Sequence, residues 1–192
     1  MKLALAVTAA TFAALLTPVA AHADSYSRND PSGDVVKSVF DPDGVVRQPA
    51  RADGDIVRSA VTHGPRRVTM ALRMRAIGRA AGQETIYDFR IGTRRAVREV
   101  ILTAEPDRWQ GHVDFYDGRG SFARCKGIRW SIRYSTGMVT ASVPRRCLGR
   151  PAAVHVGMGV GNLDARNDLF SDDAATDGQE ADPVRWGPWV AR

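Results

Sequence analysis

Residues 55–74 read DIVRSAVTHGPRRVTMALRM, and this stretch decides the fold class. In its second half, large apolar side chains occupy every other position, at Val68, Met70, Leu72 and Met74. Successive side chains of a β-strand point to opposite faces of the sheet. The pattern therefore predicts a strand with one buried face and one exposed face.

A second strand-like run, Ile56 to Val61, comes just before the first, and His63, Gly64 and Pro65 separate the two. Glycine gives the backbone freedom to turn and proline fixes φ, which is typical of a connection between strands. The sequence therefore predicts a β-hairpin near the centre of a β-sandwich.

The same alternation recurs along the chain with turn residues between the runs, and no α-helical apolar period follows residue 23. The clearest runs are 86–91, 97–102, 109–115, 128–134, 139–143 and 154–160. About nine or ten short strands are expected, which predicts an all-β fold, an antiparallel β-sandwich of jelly-roll or immunoglobulin-like type.

Three polar segments are expected to lie outside the strands. They are a loose lead-in at 24–30, a loop at 41–53 and an acidic loop that begins after Gly161. Trp186, Trp189 and Val190 follow this last loop, and we expect them to pack back onto the sandwich because exposed tryptophan is costly.

Residues 1–23 have the parts of a secretory signal peptide. Lys2 precedes an apolar run at 3–16, and Ala21-His22-Ala23 is a small-x-small cleavage site. We expect cleavage after Ala23, a secreted protein with no membrane span after cleavage, and a single domain at 24–192.

Cys125 and Cys147 are the two cysteines of the chain. An even number in an oxidising compartment predicts one disulfide between them. The formal net charge is +6, carried mainly by arginines that are dispersed among acidic and apolar residues. This pattern predicts a solvated surface rather than a nucleic-acid partner, and an anionic polymer of a cell envelope fits an exported protein better.

Aspartates cluster in the predicted loops, and calcium prefers such oxygen ligands. The candidate ligands are Asp30, Asp34, Asp41, Asp43, Asp53 and Asp55. A second acidic group consists of Asp164, Asp168, Asp172, Asp173 and Asp177. The alternative is that these residues cap their own turns, as aspartate often does. No cofactor is otherwise expected, and the sequence does not indicate an oligomeric state.

Aromatic side chains that could stack on sugar rings are the candidate ligand-binding residues: Trp109, Tyr116, Trp130, Trp186 and Trp189. They favour a non-catalytic module that binds a polysaccharide or envelope component. The alternative is a secreted hydrolase that uses loop carboxylates and His112, and a third hypothesis is an inhibitor or partner-binding domain. No catalytic motif distinguishes these readings.

The opening DPSGD at 30–34, followed by Asp55-Ile56, resembles a group of uncharacterised exported actinobacterial β-sandwich proteins. The stretch PRRCLGRPAAVHVGMGVG, at 144–161, is similar to a second segment of that group. More distantly, the opening resembles DOMON domains and family-nine carbohydrate-binding modules. That resemblance implies a β-sandwich that binds sugars or haem; this chain lacks an evident Met/His haem pair, for which His112 and Met158 are candidates.

Overall fold

The computed structural model describes residues 24–38, 45–178 and 184–192. The described residues contain strands and two short 3-10 turns, without an α-helix. The strands are β1 Asp24–Asn29, β2 Val36–Ser38, β3 Val45–Arg47, β4 Ile56–His63, β5 Arg67–Met74, β6 Glu84–Gly92, β7 Val97–Glu105, β8 Arg108–Asp117, β9 Arg129–Arg133, β10 Met138–Pro144, β11 Ala153–Leu163, β12 Leu169–Asp173 and β13 Trp186–Ala191.

Two antiparallel sheets pack face to face, which confirms the predicted β-sandwich. The five-stranded sheet has the order β1-β4-β5-β10-β9. The eight-stranded sheet has the order β3-β2-β12-β11-β6-β7-β8, and β13 pairs with β11 beside β12. No helix in the described part of the chain is long and apolar enough to cross a membrane.

The core lies between the sheets, where the predicted alternation places it. The β4–β5 hairpin pairs Ile56 with Met74 and His63 with Val68, and the alternate apolar side chains of β5 are buried. From the opposite sheet, Tyr87 and Phe89 of β6 are fully buried against the same cluster. Period-two burial on both sheets thus produces a single continuous core.

The predicted disulfide between Cys125 and Cys147 is present. It joins the segment after β8 to the 3-10 turn Arg145–Leu148, and both cysteines pack against the core. The disulfide therefore connects a loop of one sheet to the end of β10 in the other.

The described residues form thirteen strands rather than nine or ten, and the additional ones lie in the predicted polar segments. β1 occupies the predicted lead-in and pairs with β4 over its whole length, while β3 and β12 lie in the two predicted loops. These strands have little apolar periodicity. They form because backbone hydrogen bonds pair them with the edge of a neighbouring strand. Local patterns do not report such distant pairing.

The C-terminal segment does pack back onto the sandwich, as β13. Val190 points inward and is buried, whereas Trp186 and Trp189 remain substantially exposed. The predicted signal peptide, residues 1–23, lies outside the described residues.

Candidate functional site

One line of outward side chains crosses the eight-stranded sheet. Gly157 of β11 is opposite Trp186 on one side and Arg90 on the other. The line continues as Arg90 opposite Glu99, then Glu99 opposite Tyr116. An isolated bridge adds Phe122 beyond Tyr116. We name these side chains the transverse row: Trp186, Arg90, Glu99, Tyr116 and Phe122.

The strands place the transverse row on the outer face. Phe89 and Val100 are buried in the core, so their chain neighbours Arg90 and Glu99 point away from it. The same alternation turns Tyr116 outward from β8. Residues directly opposite each other on paired strands share a face, so the members of the row are neighbours in space.

Three aromatic rings form a stack at one end of the row. His155 of β11 lies between Trp186 and Trp189, with ring centroids 4.2 and 4.1 Å away and nearly parallel planes. Gly92 of β6 makes room for the imidazole, because a Cβ at this position would lie 2.0 Å from His155 Nε2. Burial between the indoles lowers the pKa of His155, which favours its neutral form.

The row combines flat apolar rings with a central ion pair. Arg90 Nε lies 3.7 Å from Glu99 Oε1, and the Arg90 guanidinium lies 5.2 Å from the centre of the Trp186 ring. At the other end, the rings of Tyr116 and Phe122 are 4.7 Å apart. Four strand spacings separate Trp186 from Tyr116, which is about 19 Å. Exposed rings can contact the C–H faces of sugars, and the charged groups can bind hydroxyls.

The other two aromatic candidates lie at a different place, the edge of the sandwich between β8 and β9. Trp130 Nε1 donates a hydrogen bond to the Gln110 carbonyl at 3.2 Å. Tyr134 Oη donates to the Trp109 carbonyl at 2.6 Å, and the two rings meet edge to face. Of the predicted aromatic set, the structure brings Trp186 and Trp189 together around His155 and aligns Trp186 with Tyr116. Trp109 and Trp130 instead cover the sheet edges.

The row and the ring stack beside it also contain residues that were not predicted. Arg90, Glu99, Phe122 and His155 carry no distinguishing motif, since each is an ordinary residue of its own segment. Only the pairing register brings them into one line with the tryptophans or next to them. Phe122 is 76% exposed, which only the structure shows.

The predicted calcium ligands divide into three groups. Asp30, Asp34 and Asp55 come together where β1, β2 and β4 begin or end, and all three are buried. Asp53 is apart from them and accepts hydrogen bonds from the Gly78 backbone and the Gln83 side chain. Asp41 and Asp43 lie outside the described residues.

Asp172 of β12 completes the buried group, although it belongs to the second predicted acidic loop. Carboxylate oxygens of Asp30, Asp34 and Asp172 lie within 4.8 Å of one another. Burial raises the pKa of Asp30 to about 8, and the charge of Asp34 acts in the same direction. Burial likewise raises the pKa of Asp172 to about 9 and also raises the pKa of Asp34. We name Asp30, Asp34 and Asp172 the carboxylate cluster.

The residues of the hydrolase hypothesis lie on the outer face of β8. His112 Nε2 is 3.9 Å from Asp114 Oδ2, and both side chains are more than one third exposed. Arg108 Nη1 lies 3.3 Å from His112 Nδ1. The pair is therefore a solvated surface contact beside the transverse row.

His63 provides a pH-dependent contribution to stability. It is fully buried at the end of β4, with Nδ1 3.2 Å from the Val190 carbonyl oxygen. Burial lowers the pKa of His63, and the charges of Arg145 and Arg192 lower it further. Below about pH 6.5 the unfolded chain therefore binds more protons at this position than the folded chain does.

We expect wild type to lose stability relative to a His63→Asn variant as the pH falls from about 7.5 to about 5. Urea denaturation of both proteins across that range measures the difference. An unchanged difference in the free energy of unfolding would show that His63 protonates equally in both states.

Comparisons with known proteins find no matching family model, no matching curated protein and no matching solved structure.

Proposed function

We propose that the protein is an exported, non-catalytic β-sandwich module that binds a polysaccharide or another polymer of the cell envelope. The observation that supports this proposal is the transverse row, in which exposed rings flank an Arg–Glu pair across adjacent strands. An extended polymer suits such a row because its sugar units repeat along one direction. A distant relationship to family-nine carbohydrate-binding modules or DOMON domains is part of the same proposal.

Ring stacking supplies the affinity in this proposal. Trp189 is 51% exposed, and one of its faces is turned away from His155. Because the stack holds the rings in place before binding, little side-chain entropy is lost when a sugar docks. Arg90 and Glu99 lie about one strand spacing apart and offer a donor and an acceptor to hydroxyl groups.

The test is retention of the purified protein on cell-wall polymers, followed by titration calorimetry with the polymer that retains it. Trp186→Ala and Trp189→Ala are each expected to weaken binding about tenfold, which corresponds to about 1.4 kcal/mol per ring. Trp130→Ala is the matched control, since Trp130 is 41% exposed but lies outside the row. Absence of retention on every polymer, or an equal loss in the control, would refute the proposal.

A second variant is designed to displace the His155 ring from between the two tryptophans without deleting any of the three rings. The Cβ of Gly92→Ala would occupy the space of the His155 imidazole, which can swing outward. We expect weaker binding with a nearly unchanged melting temperature. Retained affinity would show that sugar binding does not need His155 between the tryptophans.

The alternative function is a secreted hydrolase that uses His112 and Asp114. Incubation of the retained polymer with wild type and with His112→Ala distinguishes the two functions. A binding module gives no soluble products with either protein, whereas a hydrolase gives products that the variant fails to release.

A further inference from the structure

The carboxylate cluster has more negative charge than the described residues around it neutralise. The salt bridges of the described residues include none to Asp30, Asp34 or Asp172. The charge of Arg28 lowers the pKa of Asp30, yet Arg28 Nη1 donates its hydrogen bond to the Ala175 carbonyl at 2.9 Å. Burying carboxylates so close together is unfavourable unless a counter-charge or protons are bound.

Two members of the cluster present oxygens that have no hydrogen-bond partner among the described residues. Asp30 is only 8% exposed, and both of its carboxylate oxygens lack a partner. Asp34 is buried and its Oδ1 also lacks a partner. Buried polar atoms are nearly always paired, so unpaired oxygens in a cluster of carboxylates within 4.8 Å of one another indicate a bound cation.

Backbone groups hold one oxygen of each of the other two carboxylates. Asp172 Oδ2 accepts the Ile56 amide at 2.7 Å, and Asp34 Oδ2 accepts the Gly178 amide at 3.3 Å. These two bonds orient Asp34 and Asp172, whereas Asp30 has no such bond among the described residues. Two of the three carboxylates are therefore positioned by the backbone.

Asp55 lies beside the cluster but has its own cation. Arg75 Nη1 donates to Asp55 Oδ2 at 2.6 Å, and the Gly33 amide donates to the same oxygen at 2.8 Å. The second bond positions the turn between Asp30 and Asp34. Asp55 Oδ1 lacks a partner among the described residues, but Asp55 is not one of the three residues whose oxygens lie within 4.8 Å of one another.

We propose that Asp30, Asp34 and Asp172 bind a calcium ion that joins the two sheets. Three buried carboxylates with oxygens within 4.8 Å of one another form an all-oxygen, strongly anionic site, which suits a hard divalent cation. Calcium fits better than magnesium, because magnesium retains several waters and is usually held by only one or two carboxylates. The ion would connect Asp30, which follows β1 of the five-stranded sheet, to Asp34 and Asp172, which lie before β2 and on β12 of the eight-stranded sheet.

The site is independent of the proposed sugar binding. It lies between the sheets, whereas the transverse row lies on the outer face of one of them. Loss of calcium binding would leave the row in place, and failure of sugar binding would leave the calcium prediction unchanged.

The experiment measures thermal unfolding of the intact protein in EDTA and in calcium, together with titration calorimetry using calcium chloride. At a calcium concentration about 100-fold above Kd, the expected rise in melting temperature is about 5–10 °C. Magnesium at the same concentration is expected to give a smaller shift.

Asp30→Asn keeps the shape of the side chain but removes one charge. It is expected to lower calcium affinity at least about tenfold and, because repulsion within the cluster falls, to leave melting in EDTA unchanged or raised. Asp53→Asn is the matched control and should retain the full calcium response. If wild type shows no calcium-dependent shift or heat, the carboxylates share protons instead and the proposal is wrong. An equal loss in the Asp53→Asn control would also overturn it.

Discussion

Replacement of Phe89 by alanine is expected to lower the free energy of unfolding by about 3–5 kcal/mol. Phe89 is fully buried at the middle of β6, opposite Val100 on one neighbouring strand and Met158 on the other. Its ring lies in the densely packed layer between the sheets. Removing the ring loses apolar burial and leaves a cavity that flanking strands, fixed by hydrogen bonds on both sides, cannot close.

Urea denaturation of Phe89→Ala and Phe122→Ala makes a matched comparison, since the same atoms are deleted at a buried and at an exposed site. Phe122 is 76% exposed, so its removal should change the free energy of unfolding by about 0.5 kcal/mol or less. Similar losses at both positions would contradict the assignment of β6 to the centre of the core.

Loss of the disulfide is the second large effect. Cys125 and Cys147 are 22 residues apart, and in the chain-entropy account closing a loop of that length stabilises the fold by about 3 kcal/mol. The Cys125→Ala/Cys147→Ala protein should therefore unfold about 6–12 °C below wild type. Alanine is the suitable replacement because both positions pack against the core.

A reducing agent provides the control for this prediction. It should bring the melting temperature of wild type close to that of the double variant and leave the variant unchanged. A variant that melts like the oxidised wild type would show that the disulfide adds nothing to stability.

The acidic residues show which calcium ligands a local sequence pattern can predict and which it cannot. Asp30, Asp34 and Asp55 were candidates because aspartates in loops are typical calcium ligands, and the structure brings these three together. Asp53 lies in the same predicted loop and was a candidate for the same reason, but its carboxylate accepts a hydrogen bond from the Gly78 backbone amide. Asp172 was assigned only to the second acidic group and not to the candidate ligands, because nothing in residues 162–178 indicates that β12 pairs beside β2 and turns this side chain inward.

The aromatic candidates divide for a similar reason. Composition identifies tryptophans as possible binding residues, but it cannot tell an exposed ring from one that covers a sheet edge. Trp130 alternates with polar residues on β9 and lies at the edge of its sheet, while Trp186 and Trp189 share one face of β13. A shift in pairing between His155 and Gly157 lets two residues three positions apart point the same way.

The sequence by itself determined the strands with a regular apolar period, the β4–β5 hairpin and the single disulfide, because each depends on neighbouring residues or on having only two cysteines. The tertiary structure decided the short edge strands, the transverse row and the carboxylate cluster. Alternation fixes which face a side chain takes within its own strand. Which residues become neighbours across strands depends on register and sheet order, and these follow from the packing of the whole chain.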